Sequence, residues 1–98
     1  MQFSVKVTDY QKNIMLNICD VGLLGKKIIQ DDLNMNISKN YYGEKLVDKE
    51  EAILLLKNSS IINMVGQQTI SLSLELGIGS ENGIKSISGV PFLIVFKM

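Results

Sequence analysis

Apolar residues alternate with polar ones on both sides of a short polar break in "FSVKVTDYQKNIMLNIC", so the spacing predicts a β-hairpin of about residues 2–8 and 13–19. Phe3, Val5 and Val7 then face the core together with Ile14, Leu16 and Ile18. In "CDVGLLGKKI", Asp20 is placed to cap a single helical turn and Gly25 to end it in a left-handed conformation. "KKIIQDDLNMNI" reads as two short strands with Asp31 and Asp32 at their turn, and "NYYGEKLV" as a connector. The period then changes from 2 to 3.6. In "DKEEAILLLKNSS" the apolar residues fall on one helical face, Asp48 and Glu51 have capping-box spacing, and Val47 and Ala52 sit where a hydrophobic staple packs, which predicts a helix over 49–58. "SIINMVG" follows as a buried strand of about 60–65, stopped by Gly66.

The segment "QQTISLSLELG" fits two periods at once. Ile70, Leu72, Leu74 and Leu76 alternate with polar residues as in a strand, yet Ile70–Leu74 and Leu72–Leu76 are also i,i+4 pairs, with Gly77 placed as a helix C-cap. Length favours the helix, because strand 60–65, helix 67–76 and strand 84–88 make a crossover of ordinary size. "GIGSENG" is a glycine-rich loop, and "FLIVFK" is a last strand over 92–97. Pro91 cannot donate to a ladder, so it is expected to set that strand's start. The predicted fold is α+β: a single two-layer domain over residues 1–98, with a mixed, mainly antiparallel sheet, two main helices (49–58 and 67–76) and one βαβ crossover.

Composition removes much chemistry. A chain of 98 residues, 46% of them hydrophobic, buries roughly 65% of the surface its unfolded form exposes, enough for a core without disulfides. The apolar runs "FLIVF" and "AILLL" are too short to span a bilayer, "MQFSVKV" lacks the shape of a signal peptide, and Cys19 is the single cysteine, so a cytoplasmic setting without membrane contact is expected. Ten lysines balance ten acidic residues, and there is no arginine and no histidine. Histidine-based triads and zinc sites are thereby excluded, and one cysteine cannot build a zinc cage, so neither a metal nor a cofactor is expected. Without arginine and with zero net charge, DNA binding is not expected. An AT-rich genome would give the same richness in Ile, Asn and Lys.

Few residues remain for a site. At "NMVGQQT", Gly66 lets the chain turn tightly, and the free amides of Gln67, Gln68 and Thr69 at a helix start are suited to an anion, although a glycine before a helix is usually only a turn. Cys19 with Lys26 nearby is a candidate reactive thiol, against the stronger reading of a small buried hydrophobe. The pairs Asp31-Asp32 and Glu50-Glu51 are explained by turn chemistry and the helix dipole. Tyr41 and Tyr42, with Lys39 and Lys45, are weak candidates for stacking on single-stranded RNA. Gly66, Gln67, Gln68, Gly89 and Pro91, with Asn63 beside them, are expected to converge at the ends of neighbouring strands as a polar notch.

The pieces "NICDVGLLGKKI", "YYGEKLVDKEEAILLL", "INMVGQQTISLSLELGI" and "ISGVPFLIV" together resemble an archaeal family catalogued as domain-of-unknown-function family 424. The resemblance covers nearly the whole chain; it implies a compact α+β domain and supports a helix at 67–76, but implies no activity. Relatives in that pattern commonly carry histidine directly after Gly-Val-Pro, where this chain has Phe92, so a role in chemistry for that histidine would not be shared here. Three functions follow as expectations. The first is a small binding module with a protein or RNA partner, in keeping with archaeal translation or RNA handling. The second is a small-molecule or phosphate-binding protein or enzyme at the Gly66 notch, and the third a homo-oligomer pairing through an exposed edge strand at 92–97.

Overall fold

The two-residue period at the chain's start becomes β1 (Gln2–Tyr10) and β2 (Asn13–Asp20), antiparallel from Phe3 opposite Asp20 to Tyr10 opposite Asn13. The structure is a computed structural model and describes residues 1–97. Gln11 and Lys12 close this hairpin with φ of 48° and 70°, the left-handed pair that a two-residue turn requires. After a 3-10 turn at Val21–Leu23, β3 (Lys27–Gln30) and β4 (Leu33–Asn36) form a separate two-stranded sheet. The segment expected to be a connector holds two elements instead, α1 (Lys39–Tyr42) and β5 (Lys45–Asp48). There follow α2 (Lys49–Asn58), β6 (Ile61–Val65), α3 (Gln67–Glu75), a 3-10 turn at Glu81–Gly83, β7 (Lys85–Ile87) and β8 (Val90–Phe96).

The main sheet has six strands in the order β5-β1-β2-β6-β8-β7, and only β2 and β6 pair in parallel. Since β8 is antiparallel to both β6 and β7, β7 runs parallel to β6, and the β6–α3–β7 crossover is split by β8. The outermost strands are β5 and β7, but β7 flanks the last strand only over Val90–Phe92; from Leu93 to Phe96 β8 pairs with β6 alone, so most of the edge expected at 92–97 has no strand on its other side.

Local chemistry explains both main helices. Asp48 caps α2 by accepting the Glu51 amide at 2.8 Å, while the Glu51 carboxylate turns to Lys45 Nζ at 2.8 Å rather than completing a reciprocal box. Val47 and Ala52 are both buried in the core, as the staple requires. In α3 the helix wins over alternation because its ends are built. Gly66 precedes it with φ of 110°, and Gly77 follows with φ of 75°. The amides of Gly77 and Ile78 bond the carbonyls of Leu74 and Ser73, the two bonds of a Schellman motif. The helical period buries Ser73 completely, and its hydroxyl is satisfied by donating to the Ile78 carbonyl at 2.7 Å.

Both helices lie on one face of the sheet. There Phe3, Val5, Leu16, Ile18, Ile62 and Met64 pack with Ala52 and Leu56 of α2 and Ile70 and Leu72 of α3. Burying each of the large side chains contributes about 1.5–3 kcal/mol, so this layer carries most of the stability. The opposite face is only half covered. A second cluster of Cys19, Ile28, Ile37, Val65 and Ile87 seats the β3–β4 hairpin over the end of the sheet where β2 and β6 finish, and leaves the rest of that face open.

Candidate functional site

Asp20, Gly66 and Pro91, far apart in sequence, meet where β2 and β6 end. Asp20 does not cap the 3-10 turn that follows it. Its carboxylate crosses to the start of α3 and accepts the amides of Gln68 at 3.1 Å and Thr69 at 2.8 Å, together with the Thr69 hydroxyl at 2.8 Å. The positive helix end that the sequence offers to an external anion therefore already holds an internal one. Gly66 is required by that contact: a Cβ placed on it would lie 2.3 Å from Asp20 Cγ, and its φ of 110° disfavours any side chain.

Pro91 belongs to the same junction. It lies one residue inside β8 rather than at its start, opposite Ser86 of β7. Its carbonyl accepts the Gly66 amide at 3.0 Å, so its own nitrogen faces the same side, where β6 has already ended. An N–H there would need the Gly66 carbonyl, which is taken by Ile70 of α3 at 3.0 Å. Proline removes a donor that would have no partner.

The remaining predicted residues do not gather into a notch. Cys19 is fully buried, and burial, with the neighbouring Asp20 charge, pushes its thiol up to about 12, the opposite of a reactive thiolate. Lys26 is exposed at the base of the β3–β4 hairpin, donating its amide to the Leu23 carbonyl. Gly89 sits with Ser88 in the β7–β8 turn, at φ of 80° and 50°. Gln67 and Gln68 are exposed beside Lys49 and Ser71 at a shallow depression of about 200 Å³, on the helical side. Asn63 and Cys19 share the sheet face opposite the two main helices, Cys19 beneath the β3–β4 hairpin and Asn63 on the uncovered part.

The strand register writes that open face out in rows. One row runs Ser4, Cys19, Val65, Phe92, Lys85; the next runs Lys6, Asn17, Asn63, Ile94; the third Thr8, Met15, Ile61, Phe96. No carboxylate stands in these rows, and their only charges are Lys6 and Lys85. Asn63 Nδ2 donates to Asn17 Oδ1 at 2.6 Å, which satisfies the nearly buried Asn17 and orients Asn63. Ile94 and Phe96, on the part of β8 that pairs with β6 alone, remain 58% and 66% exposed, an unusual cost for two large apolar side chains so close together.

Beside them lies a groove of about 300 Å³. Phe92, Ile94 and Asn63 line it from the sheet, Leu33 and Met35 from β4, and Tyr42 from α1; Ile87 and Lys85 line it from β7. Tyr42 is held in place by its backbone, whose carbonyl accepts Ser4 Oγ at 2.6 Å, and burial, then the neighbouring Cys19, raises its phenol above the ordinary value. Tyr41, next to it, points to solvent at 64% exposure, so the two tyrosines do not form a stacking pair on one surface. Sequence reasoning named Asn63 and remarked on Phe92, but missed the groove. It is made by the β3–β4 hairpin folding back over the sheet, and no local pattern encodes where a hairpin docks.

The model of the family described as "Protein of unknown function (DUF424)" matches residues 8–98. A crystal structure of an uncharacterized conserved protein from Methanopyrus kandleri shares the fold, with a TM-score of 0.80 over all of this chain and 95% of that one, at 19% sequence identity. No match is found among the curated proteins.

Proposed function

Since the chain belongs to the DUF424 family, whose description assigns no activity, we propose its function from the open sheet face: a binding module that takes a protein partner there. The observation that carries this reading is the pair Ile94 and Phe96, 58% and 66% exposed on the sheet face opposite the two main helices, next to a groove lined mainly by apolar side chains. A protein that keeps such side chains in water gains by covering them, and a half-covered sheet face offers the rigid platform that an interface core needs. The reading of a small-molecule or phosphate-binding protein or enzyme at the Gly66 notch has less support, since Asp20 already accepts the amides of Gln68 and Thr69 there.

A second reading, RNA, is favoured by one observation: the three rows that begin at Ser4, Lys6 and Thr8 carry lysine and asparagine but no carboxylate, so phosphate meets no repulsion within them. It is the form in which a role in translation or RNA handling would be expressed. The test is capture on the tagged chain from an extract of its native cells, with and without nuclease. A protein retained through nuclease treatment supports the first reading; recovery abolished by nuclease supports the second; no reproducible partner in either arm overturns both.

A further inference from the structure

We propose that the groove between the β3–β4 hairpin and the sheet is a site for a small aromatic carboxylate, its ring on Phe92, Ile94 and Met35 and its carboxylate toward Lys85. This goes beyond the partner reading and does not rest on it. The groove's walls are apolar, which suits a flat or branched hydrophobic body, and Lys85 is the only charged residue among those that line it. Lys85 makes no salt bridge among the described residues, and no carboxylate lines the groove, so an incoming anion meets one cation and no competing charge there. Asn63 adds a direction. Its Nδ2 is committed to Asn17, which leaves Oδ1 as an acceptor without a partner among the described residues, so a ring N–H is favoured over a bare hydrocarbon edge.

The contrast with the Gly66 junction supports this placement. That positive helix end is closed by Asp20, with two backbone amides and a hydroxyl already bonded to it. The groove has space, apolar walls and an uncommitted cation together, and it lies on the opposite face of the sheet from both main helices, so filling it disturbs neither.

Three matched probes test the assignment: indole-3-acetate, the neutral indole-3-ethanol and the cationic tryptamine, each titrated against the full chain. The protein contains no tryptophan, so indole emission reports the ligand alone. Saturable binding of indole-3-acetate is expected, about 2- to 5-fold tighter than the alcohol and tighter still than the amine, the range for one solvent-accessible charge contact. Lys85→Met, at an exposed position, should bring acid and alcohol to the same affinity while leaving the unfolding transition in place, and Ile94→Asp should abolish binding of the acid. Equal affinity for the three probes, a preference for the acid that survives Lys85→Met, or no saturable signal up to roughly 5 mM would each overturn the proposal.

Discussion

Replacing Asp20 by alanine isolates the contact on which the strand-to-helix junction depends. The substitution removes three hydrogen bonds, to the amides of Gln68 and Thr69 and to the Thr69 hydroxyl. Gln68 is exposed and its amide can turn to water, but Thr69 is fully buried, so its amide and hydroxyl are left unpaired in a dry environment. A lost charged cap costs about 0.5–2 kcal/mol and an unsatisfied buried group about 1–3 kcal/mol, which puts Asp20→Ala at about 2–4 kcal/mol of destabilisation. Asp20→Asn keeps one acceptor oxygen for Thr69 and should lose roughly 1 kcal/mol. The same geometry predicts coupling. Gly66→Ala in the wild type meets Asp20 Cγ at 2.3 Å as well as the positive φ, whereas in the Asp20→Ala background only the backbone strain is left, about 1–2 kcal/mol. Urea unfolding followed by far-UV circular dichroism reads all four states, with the slope checked for constancy. An Asp20→Ala cost below about 1 kcal/mol, or strict additivity with Gly66→Ala, would refute the reasoning.

The buried thiol gives a pH signature. Folding raises Cys19 from 9.0 to about 12, so above pH 9 the unfolded chain releases a proton that the native state keeps; this contribution is intact below pH 9 and is lost as pH climbs toward 12. Cys19→Val should flatten part of that alkaline fall in denaturation midpoint, and an unchanged pH profile would contradict it. In the native protein at pH 8 the thiol should react with a disulfide reagent only as fast as the structure opens, and labelling at the rate of a free thiol would show that Cys19 is accessible. At the first hairpin, Gln11 and Lys12 hold φ of 48° and 70° without glycine; replacing them with Asn-Gly should stabilise by roughly 1 kcal/mol in the same urea assay, and a loss would mean that the turn is held by something other than its own backbone.

Where a segment's own residues determine its shape, the sequence was readable. The helix at 49–58 was legible to its ends because capping residues and period agree, and the hairpin because two alternating runs flank a polar turn. The helix at 67–75 was legible only through its glycines and its length, since Ser73 in a buried position mimics a strand's polar alternation. The elements at 39–48 were not legible: β5 is four residues long, and its single buried residue, Val47, had already been assigned to the staple of the next helix. The candidate site divides the same way. Gly66 and Pro91 stand out in the sequence as candidates for a ligand site, but what the sequence does not display is the contact with Asp20, which lies 46 residues before Gly66 in the chain and comes near only when β2 and β6 pair. The exposure of Ile94 and Phe96 depends on which helices cover which face, a property of the assembled sheet that alternation alone leaves open.

The account's central claim is that the open sheet face binds. The direct measurement is quantitative capture from native-cell extract on three forms of the tagged chain: the wild type, a variant with Ile94→Asp and Phe96→Asp, and a control with Leu54→Asp, equally exposed at 59% on the outside of α2. The account predicts a nuclease-resistant protein partner on the wild type and the control, reduced by about tenfold or more on the sheet-face variant, as expected when a central apolar anchor is replaced by a charge. Equal recovery on all three forms, with the sheet-face variant folded, would contradict it.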